Sequence, residues 1–565
     1  MRASDLKPTG KREGREEEAE RVLGRTEFSA GARAVLIGGF LAGLLLVPGI
    51  QWAREWKTGE FSIRGLARVM PGWDRLKSVR SLAGVWGLLP EARDLKEAER
   101  ELERRSWFSG GMRPQVQTGF TKLLRWGGEQ AYLGKNGWLF YRPDVESIWG
   151  APFLDPSQIA HRKKSGVQPD PVRGIVDFRE QLKRRGIELV VVPVPVKPCI
   201  EGRHLTGKPG GTLLQNGSHG EFVARLEAAG VRVFDPAPGL EQDARELGAA
   251  YLETDTHWRP ETMERVAARL AEVLKQVPGL RSGGIQPGFA EGEVEGMGDI
   301  VGLLGLGENQ TLYGRQKVRI RQVTQGNGLL RPDPAAEVLV LGDSFSNIYS
   351  LEGMGWGEGA GFVEHLGAAL GLRVDAVVRN SDGAFGSREV LQRELAAGRD
   401  RLAGKKVVVW EFASRELALG DWKVLEMPVG APVQGRFLAL KAGEECTVEG
   451  TVGAVSAVPR PGTVPYSEHV VSVHVRDLRR ANAGSGDGTG AGTEEALVYL
   501  WSMQGQKWTP AARLRTGDRV RLRLQAWESV SGRYEKVNRS ELTDGGLVAE
   551  EPVWGELLGL GETVR

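Results

Sequence analysis

"VLVLGDSFSN", residues 338–347, decides how the chain is read. Val338 to Leu341 form an apolar run that halts at Gly342, the pattern of a buried strand stopping at the rim of a sheet. Ser344 follows at once, where a nucleophile would be presented, but a serine needs a base to take its proton. Working outward, similar runs recur at "IELVVVPVPV" (187–196), "VRVFDPA" (231–237), "AEVLVLGDS" (336–344), "LRVDAVV" (372–378) and "KKVVVWEF" (405–412). Helical patterns lie between them at 172–186, 220–230, 260–277 and 387–398. Near-continuous Val/Leu strands alternating with amphipathic helices predict an α/β domain, residues 120–424, with a parallel sheet covered on both faces.

The flanks read differently. Residues 1–33 are charged and lack apolar periodicity, predicting a disordered tail. "AVLIGGFLAGLLLVPGIQW" (34–52) carries no charge and is long enough for a hydrocarbon core of about 30 Å, predicting an uncleaved membrane anchor. Basic residues on its two sides (Arg21, Arg25 and Arg33 against Arg54, Lys57, Arg64 and Arg68) are nearly balanced, so charge does not orient it. Residues 53–119 form a linker with an exposed helix at 91–107. Residues 425–565 carry many short β-type runs around a Gly/Ser-rich loop (481–495), the texture of a small all-β, OB-like barrel or sandwich. The tryptophans there (Trp501, Trp508, Trp527, Trp554) suit either a sugar-stacking face or a small core.

Composition excludes several classes. The 565 residues hold 75 Lys+Arg against 73 Asp+Glu, with no basic stripe, so a nucleic-acid partner has no electrostatic basis. Cys199 and Cys446 are the only cysteines and give neither a disulfide framework nor a metal spacing. "GLLGLGENQ" (302–310) is Gly-rich but lacks the strand-turn-helix context of a phosphate loop, so neither a metal nor a cofactor is expected.

The base for Ser344 is sought in "YLETDTHWRPETMERVA" (251–267). In an extended segment, side chains two apart point to one side, so Asp255 can hold the His257 imidazole while its other nitrogen faces Ser344. Pro260 then opens a helix, which puts the Asp-x-His stretch at a loop-to-helix junction. A hydrogen-bonded histidine near a helix start fits the same spacing, and Asp343 fits the role of a helix cap.

"GDSFS" together with "DTHW" resembles the alginate O-acetyltransferase family, the AlgX/AlgJ-like members of the SGNH hydrolase superfamily. "LGKNGWLFY" (133–141), "VVPVPVKP" (191–198), "GMGDIVGLLGL" (296–306) and "VVWEFASREL" (408–417) fit its habit, over roughly residues 120–420. The resemblance implies an SGNH-like fold, with Ser344 as nucleophile, His257 as base and Asp255 as orienting acid. It also implies an oxyanion hole made by the Ser344 N–H with Asn380 and Gly383 from "VVRNSDGAFGSREV" (377–390), a stretch that a structural turn explains equally well. Glu411 and Arg415 resemble the family's Glu-x-x-x-Arg ending, serving either as an ion pair or as a substrate contact. Arg379 is a candidate contact for an anionic sugar, and Trp258 either a stacking surface for a sugar or packing.

The resemblance and the anchor together imply O-acetylation of an exopolysaccharide outside the cytoplasmic membrane by a single-pass membrane protein with its catalytic domain on the periplasmic side. The acetyl group would come from a membrane-bound O-acyltransferase partner. A glycan acetylesterase and a non-catalytic carbohydrate-binding or assembly protein are the alternatives, since a triad does not specify its acyl acceptor.

Overall fold

The computed structural model describes residues 29–58 and 112–560, apart from 208–212, 282, 308, 381–382, 397, 431–436, 460, 462–463, 465, 481–493, 535–536, 543–546 and 548–549. The expected helix at 91–107 and most of the charged tail and of the 481–495 loop lie outside the described residues. The chain divides into two units, Met1–Val116 and Gln117–Arg565. In the first, helix α1 (Ala30–Thr58) contains the whole expected span. By length and composition it is the one described helix able to cross a membrane.

In the second unit a hairpin pairs β1 (Ala131–Leu133) with β2 (Leu139–Tyr141). Asn136 and Gly137 both have positive φ (54° and 84°), the Asn-Gly turn that suits the twist of paired strands. Helix α2 (Arg142–Trp149) follows directly. Then come α3 (Pro171–Arg184), β3 (Glu188–Val194), α4 (Lys197–Thr206), α5 (His219–Ala228), β4 (Arg232–Val233) and α6 (Pro260–Leu274). An insertion places β5 (Gly288–Gly296), α7 (Asp299–Leu303), β6 (Gln316–Gln325) and β7 (Gly328–Leu329) before β8 (Val338–Gly342). The domain ends with α8 (Ser344–Asn347), α9 (Phe362–Leu370), β9 (Asp375–Val378), α10 (Gly386–Ala396), β10 (Val407–Ala413) and α11 (Arg415–Leu419).

Five strands form one all-parallel sheet in the order β4-β3-β10-β8-β9. Alternation along each strand sends side chains to two cores. Val190, Val192, Val338, Val340, Val407 and Val409 face α6 and α9, while Leu189, Val191, Leu339, Leu341, Val408 and Trp410 face α3, α5 and α10. Both faces are therefore covered, as the continuous apolar runs require. Parallel strands put all their C-terminal ends on one edge, the edge where ligands bind in open α/β sheets. The β5-β6-β7 sheet of the insertion is antiparallel and was not foreshadowed by the sequence pattern.

Beyond the sheet lie β11 (Glu445–Val455), β12 (His469–Arg480), β13 (Ala496–Gln504), β14 (Lys507–Trp508), β15 (Arg519–Ala526), α12 (Trp527–Tyr534), β16 (Arg539–Ser540) and β17 (Pro552–Leu560). Pairing runs β11-β12-β13-β17-β15 and back to β11, a closed five-stranded barrel with β13 and β17 parallel and the other pairs antiparallel. That is an OB-like architecture. Its interior holds Val448, Val471, Val473, Val498, Leu500, Leu522 and Leu524. The tryptophans do not make an open stacking face. Trp554 is 5% exposed, stacked 4.4 Å from Tyr534 and edge-on to Trp501, and Trp508 sits apart with its indole N–H on the Pro459 carbonyl.

Candidate active site

The strand stops where it does because Gly342 is pressed against its neighbours. A Cβ there would lie 2.6 Å from Ser346 Oγ and 3.1 Å from Glu411 Oε2. Asp343 then caps α8, accepting from the Phe345 N–H at 2.8 Å through one oxygen and from the Ala413 N–H at 2.8 Å through the other. Glu411 on β10 accepts from the Asp343 N–H at 3.1 Å and from Ser346 Oγ at 2.6 Å. Burial pushes the Glu411 carboxyl well above the usual range. Ser344 thus sits at the first position of a short helix, pinned on both sides to the neighbouring strand β10.

The Asp-x-His segment reaches the same edge from the loop before α6. His257 and Asp255 are both 1% exposed, and His257 Nδ1 lies 2.6 Å from Asp255 Oδ1. Asp255 Oδ1 also accepts from the His257 backbone N–H at 3.1 Å. Its other oxygen accepts from the Trp356 indole N–H at 2.9 Å and from the Asp299 backbone N–H at 3.0 Å. Burial alone would raise the Asp255 carboxyl, but the imidazole and these donors bring it below its ordinary range. Burial would likewise lower His257, yet Asp255, Asp299 and Asp343 raise it above the ordinary imidazole value.

His257 Nε2 is buried and has no hydrogen-bond partner among the described residues. His257 and Ser344 line one cavity of about 170 Å³ with Tyr141, Thr256, Asp299, Leu303, Asp343, Gly383, Arg415 and Glu416. His257, held from behind by Asp255, and Ser344 thus both line this pocket at the C-terminal edge of the sheet.

The other sequence candidates divide. Gly383 and Arg415 line the pocket. For Arg415, where an ion pair or a substrate contact stood open, Nη1 is paired with the buried Asp144 Oδ1 of α2 at 3.0 Å. Asn380 is not among the lining residues: its amide oxygen accepts from Asn347 at 3.1 Å and its amide nitrogen approaches the Met354 sulfur at 3.6 Å. Arg379 is 3% exposed and points into the contact with the barrel, donating to the Arg539 carbonyl. Trp258 is 0% exposed between Phe345 and Phe362, so its ring has no free face for a sugar.

Sequence reasoning missed Asp299. Its Oδ2 accepts from Thr256 Oγ1 at 2.5 Å and lies 3.7 Å from His257 Nδ1, while Oδ1 accepts from the Thr256 N–H at 2.8 Å. Burial, reinforced by Asp255, pushes its carboxyl up to about 7. The signal was present in "GMGDI": Gly298 has φ +86° and a Cβ would meet the Thr254 carbonyl at 2.3 Å, so glycine is required for Asp299 to close on the Asp-x-His loop. Asp255, His257 and Asp299 offer atoms within 4.8 Å of one another, a spacing a cation could use. Their oxygens and Nδ1 are already occupied by the donors named above, so the cluster reads as a hydrogen-bonded network.

Residues 131–414 match the family model of the SGNH hydrolase-like domain of the acetyltransferase AlgX. Among curated proteins, the chain is 31% identical over 144 residues to a probable alginate O-acetylase AlgJ of Pseudomonas aeruginosa, covering 26% of this chain and 33% of that one. It is 36% identical over 121 residues to the alginate biosynthesis protein AlgX of the same organism, covering 21% and 25% respectively. These matches span about a third or less of the relatives' length. Among solved structures, the O-acetyltransferase domain of Pseudomonas putida AlgJ aligns with a TM-score of 0.40 and 23% identity, covering 51% of this chain and 92% of that one.

Proposed function

The chain belongs to the SGNH hydrolase-like family of the acetyltransferase AlgX, and from that premise we propose that it transfers acetyl groups to a polysaccharide hydroxyl through an acetyl-serine intermediate on Ser344. One observation carries the proposal: His257 is held by Asp255 at 2.6 Å with its Nε2 lacking a partner among the described residues, in the pocket that Ser344 also lines. Such an imidazole is fixed in the tautomer that protonates Nδ1 and leaves Nε2 as the base.

The steps follow from these roles. Ser344 Oγ attacks the acetyl carbonyl as its proton passes to His257 Nε2, and Asp255 stabilises the imidazolium. The tetrahedral intermediate collapses, the donor oxygen leaves with the proton from His257, and acetyl-Ser344 remains. A sugar hydroxyl then gives its proton to His257 and attacks the acetyl group, restoring the serine. The Ser344 and Gly383 backbone N–H groups are the candidates for the developing oxyanion. Asn380, held by Asn347, is the less suited of the two residues nominated beside Ser344.

The acceptor is an exopolysaccharide, and α1 anchors the protein in the cytoplasmic membrane with the catalytic domain outside. Acetyl groups reach it from a membrane-bound O-acyltransferase, because acetyl thioesters are confined to the cytoplasm. Support for the polymer comes from the names of the relatives, and support for the anchor from the length and apolarity of α1. Intact mass after incubation with an activated acetyl ester tests the first step: the full chain should gain one acetyl group and Ser344→Ala none. An unmodified, folded wild type would overturn the proposal. Transfer to an oligosaccharide rather than to water separates the transferase from an esterase.

A further inference from the structure

Lys197 is buried where a lysine is costly. It is 0% exposed and stands at the first position of α4, where a helix dipole repels a cation. No local rule asks for it there, and Pro198 behind it already sets the helix start. Its partners explain the position. Nζ donates to the Leu139 carbonyl at 2.5 Å, the Glu253 carbonyl at 2.8 Å and the Asp255 carbonyl at 2.9 Å. These use all three ammonium donors. Trp138 and Phe140 place their rings 5.2 Å from Nζ and shut out water.

The three carbonyls come from two segments distant in sequence. Leu139 is on β2, while Glu253 and Asp255 bracket the turn that aims the carboxylate at His257. Lys197 itself follows β3 of the central sheet. We propose that Lys197 is a positioning residue of the Ser344 site: its ammonium ties the Asp255–His257 loop to the hairpin and the sheet edge and supplies the buried positive charge beside the Asp255 carboxylate. The proposal rests on the acyl-transfer function inferred above, and it acts through Asp255, not by contact with substrate.

Charge is part of the role. Asp255, Asp299, Asp144 and Glu201 face the ammonium and favour it, while burial opposes them and brings its pKa down to about 8. His257 in turn is faced by Asp255, Asp299 and Asp343. Lys197 is thus protonated at neutral pH and loses its charge just above it. Neutral Lys197 would keep only two donors for three carbonyls.

The test measures acetylation of Ser344 by an activated acetyl ester, in the full-length protein, from about pH 6 to about pH 10 after subtracting ester hydrolysis. Melting temperature is followed at each pH. The wild-type rate should fall about threefold or more through a midpoint near 8, with the fold intact. Lys197→Met should be about 10- to 100-fold slower at neutral pH, as expected for a misplaced catalytic group, and should lack that midpoint. Lys197→Gln, which keeps donors without the charge, is the second variant should methionine fail to fold, and it too should lack the midpoint. A wild-type rate level to about pH 10, a midpoint that survives in the variant, or a variant within about threefold of wild type would each overturn the role of Lys197. A wild type that forms no acetyl-serine at all would overturn the function first, and the two failures are distinct.

Discussion

Asp299 gives His257 a second carboxyl neighbour beside Asp255, and the two differ in charge state. Asp255 is ionised, whereas burial and Asp255 keep Asp299 protonated up to about 7. A carboxyl whose folded pKa exceeds its unfolded value of 3.8 binds a proton more tightly in the folded state. Its contribution is therefore fully favourable below that value and is lost as pH rises toward 7. Asp299→Asn removes this loss: its melting temperature should fall less than that of wild type between about pH 4 and about pH 8, and equal slopes in a melting series would refute the assignment. At Gly342 the argument is steric. Gly342→Ala pushes a methyl into Ser346 and Glu411 and should destabilise by about 1–3 kcal/mol, measured by denaturant unfolding. Asp255 and His257 could be found in the sequence because two residues apart is a local geometry. Asp299 was harder to find: "GMGDI" marks a turn, but only the fold shows that this turn at Gly298 carries it across 44 residues to the Asp255 carboxylate. Lys197 escaped for the same reason, its three partners being carbonyls that no side-chain pattern records. Of the two readings open for Trp258, a stacking surface or packing, its burial fits packing, because adjacency to His257 says nothing about which way an indole points.

At the scale of elements, the barrel is fastened to the α/β domain by a buried charge cluster. Glu541, just after β16, accepts from Arg393 of α10 at 2.8 Å, from Arg539 at 3.0 Å and from Tyr499 at 2.9 Å. Burial raises the Glu541 carboxyl, but the guanidiniums of Arg393, Arg539 and Arg379 outweigh it and bring it down to about 2. A depressed pKa stabilises above the unfolded value of 4.5 and is lost as pH falls toward 2. Glu541→Gln takes the counter-charge from the buried Arg393 and Arg539 guanidiniums and should destabilise by about 3–5 kcal/mol, with a new protease cut between α10 and β11 as the readout. The strands of the main sheet were legible because burial on both faces writes them as unbroken Val/Leu runs. The β5-β6 pair was not: its first strand, "GFAEGEVEG", is largely exposed and carries glutamates where a core strand carries valines. The β1-β2 hairpin was marked by Asn136-Gly137, a signal present in the sequence yet passed over there for its family likeness.

For the whole molecule, the order of strands in space matters more than their order in the chain. β10, the last strand of the parallel sheet in sequence, is its middle strand in space, lying between β3 and β8. A chain that ends after residue 404 should therefore fail to fold and should show exposed apolar surface by dye binding, whereas one that ends after residue 424 should keep its parallel sheet; equal solubility of the two would contradict this. The same arrangement has a consequence during synthesis. Until Val407 to Ala413 have left the ribosome, β4-β3 and β8-β9 can exist only as two half-sheets, each with a valine-rich edge open to pairing with other chains. More than two hundred residues separate β3 from its central partner, so the nascent polypeptide is held unfinished for most of its translation, and a chaperone that shields those edges would be its natural companion until the keystone strand arrives.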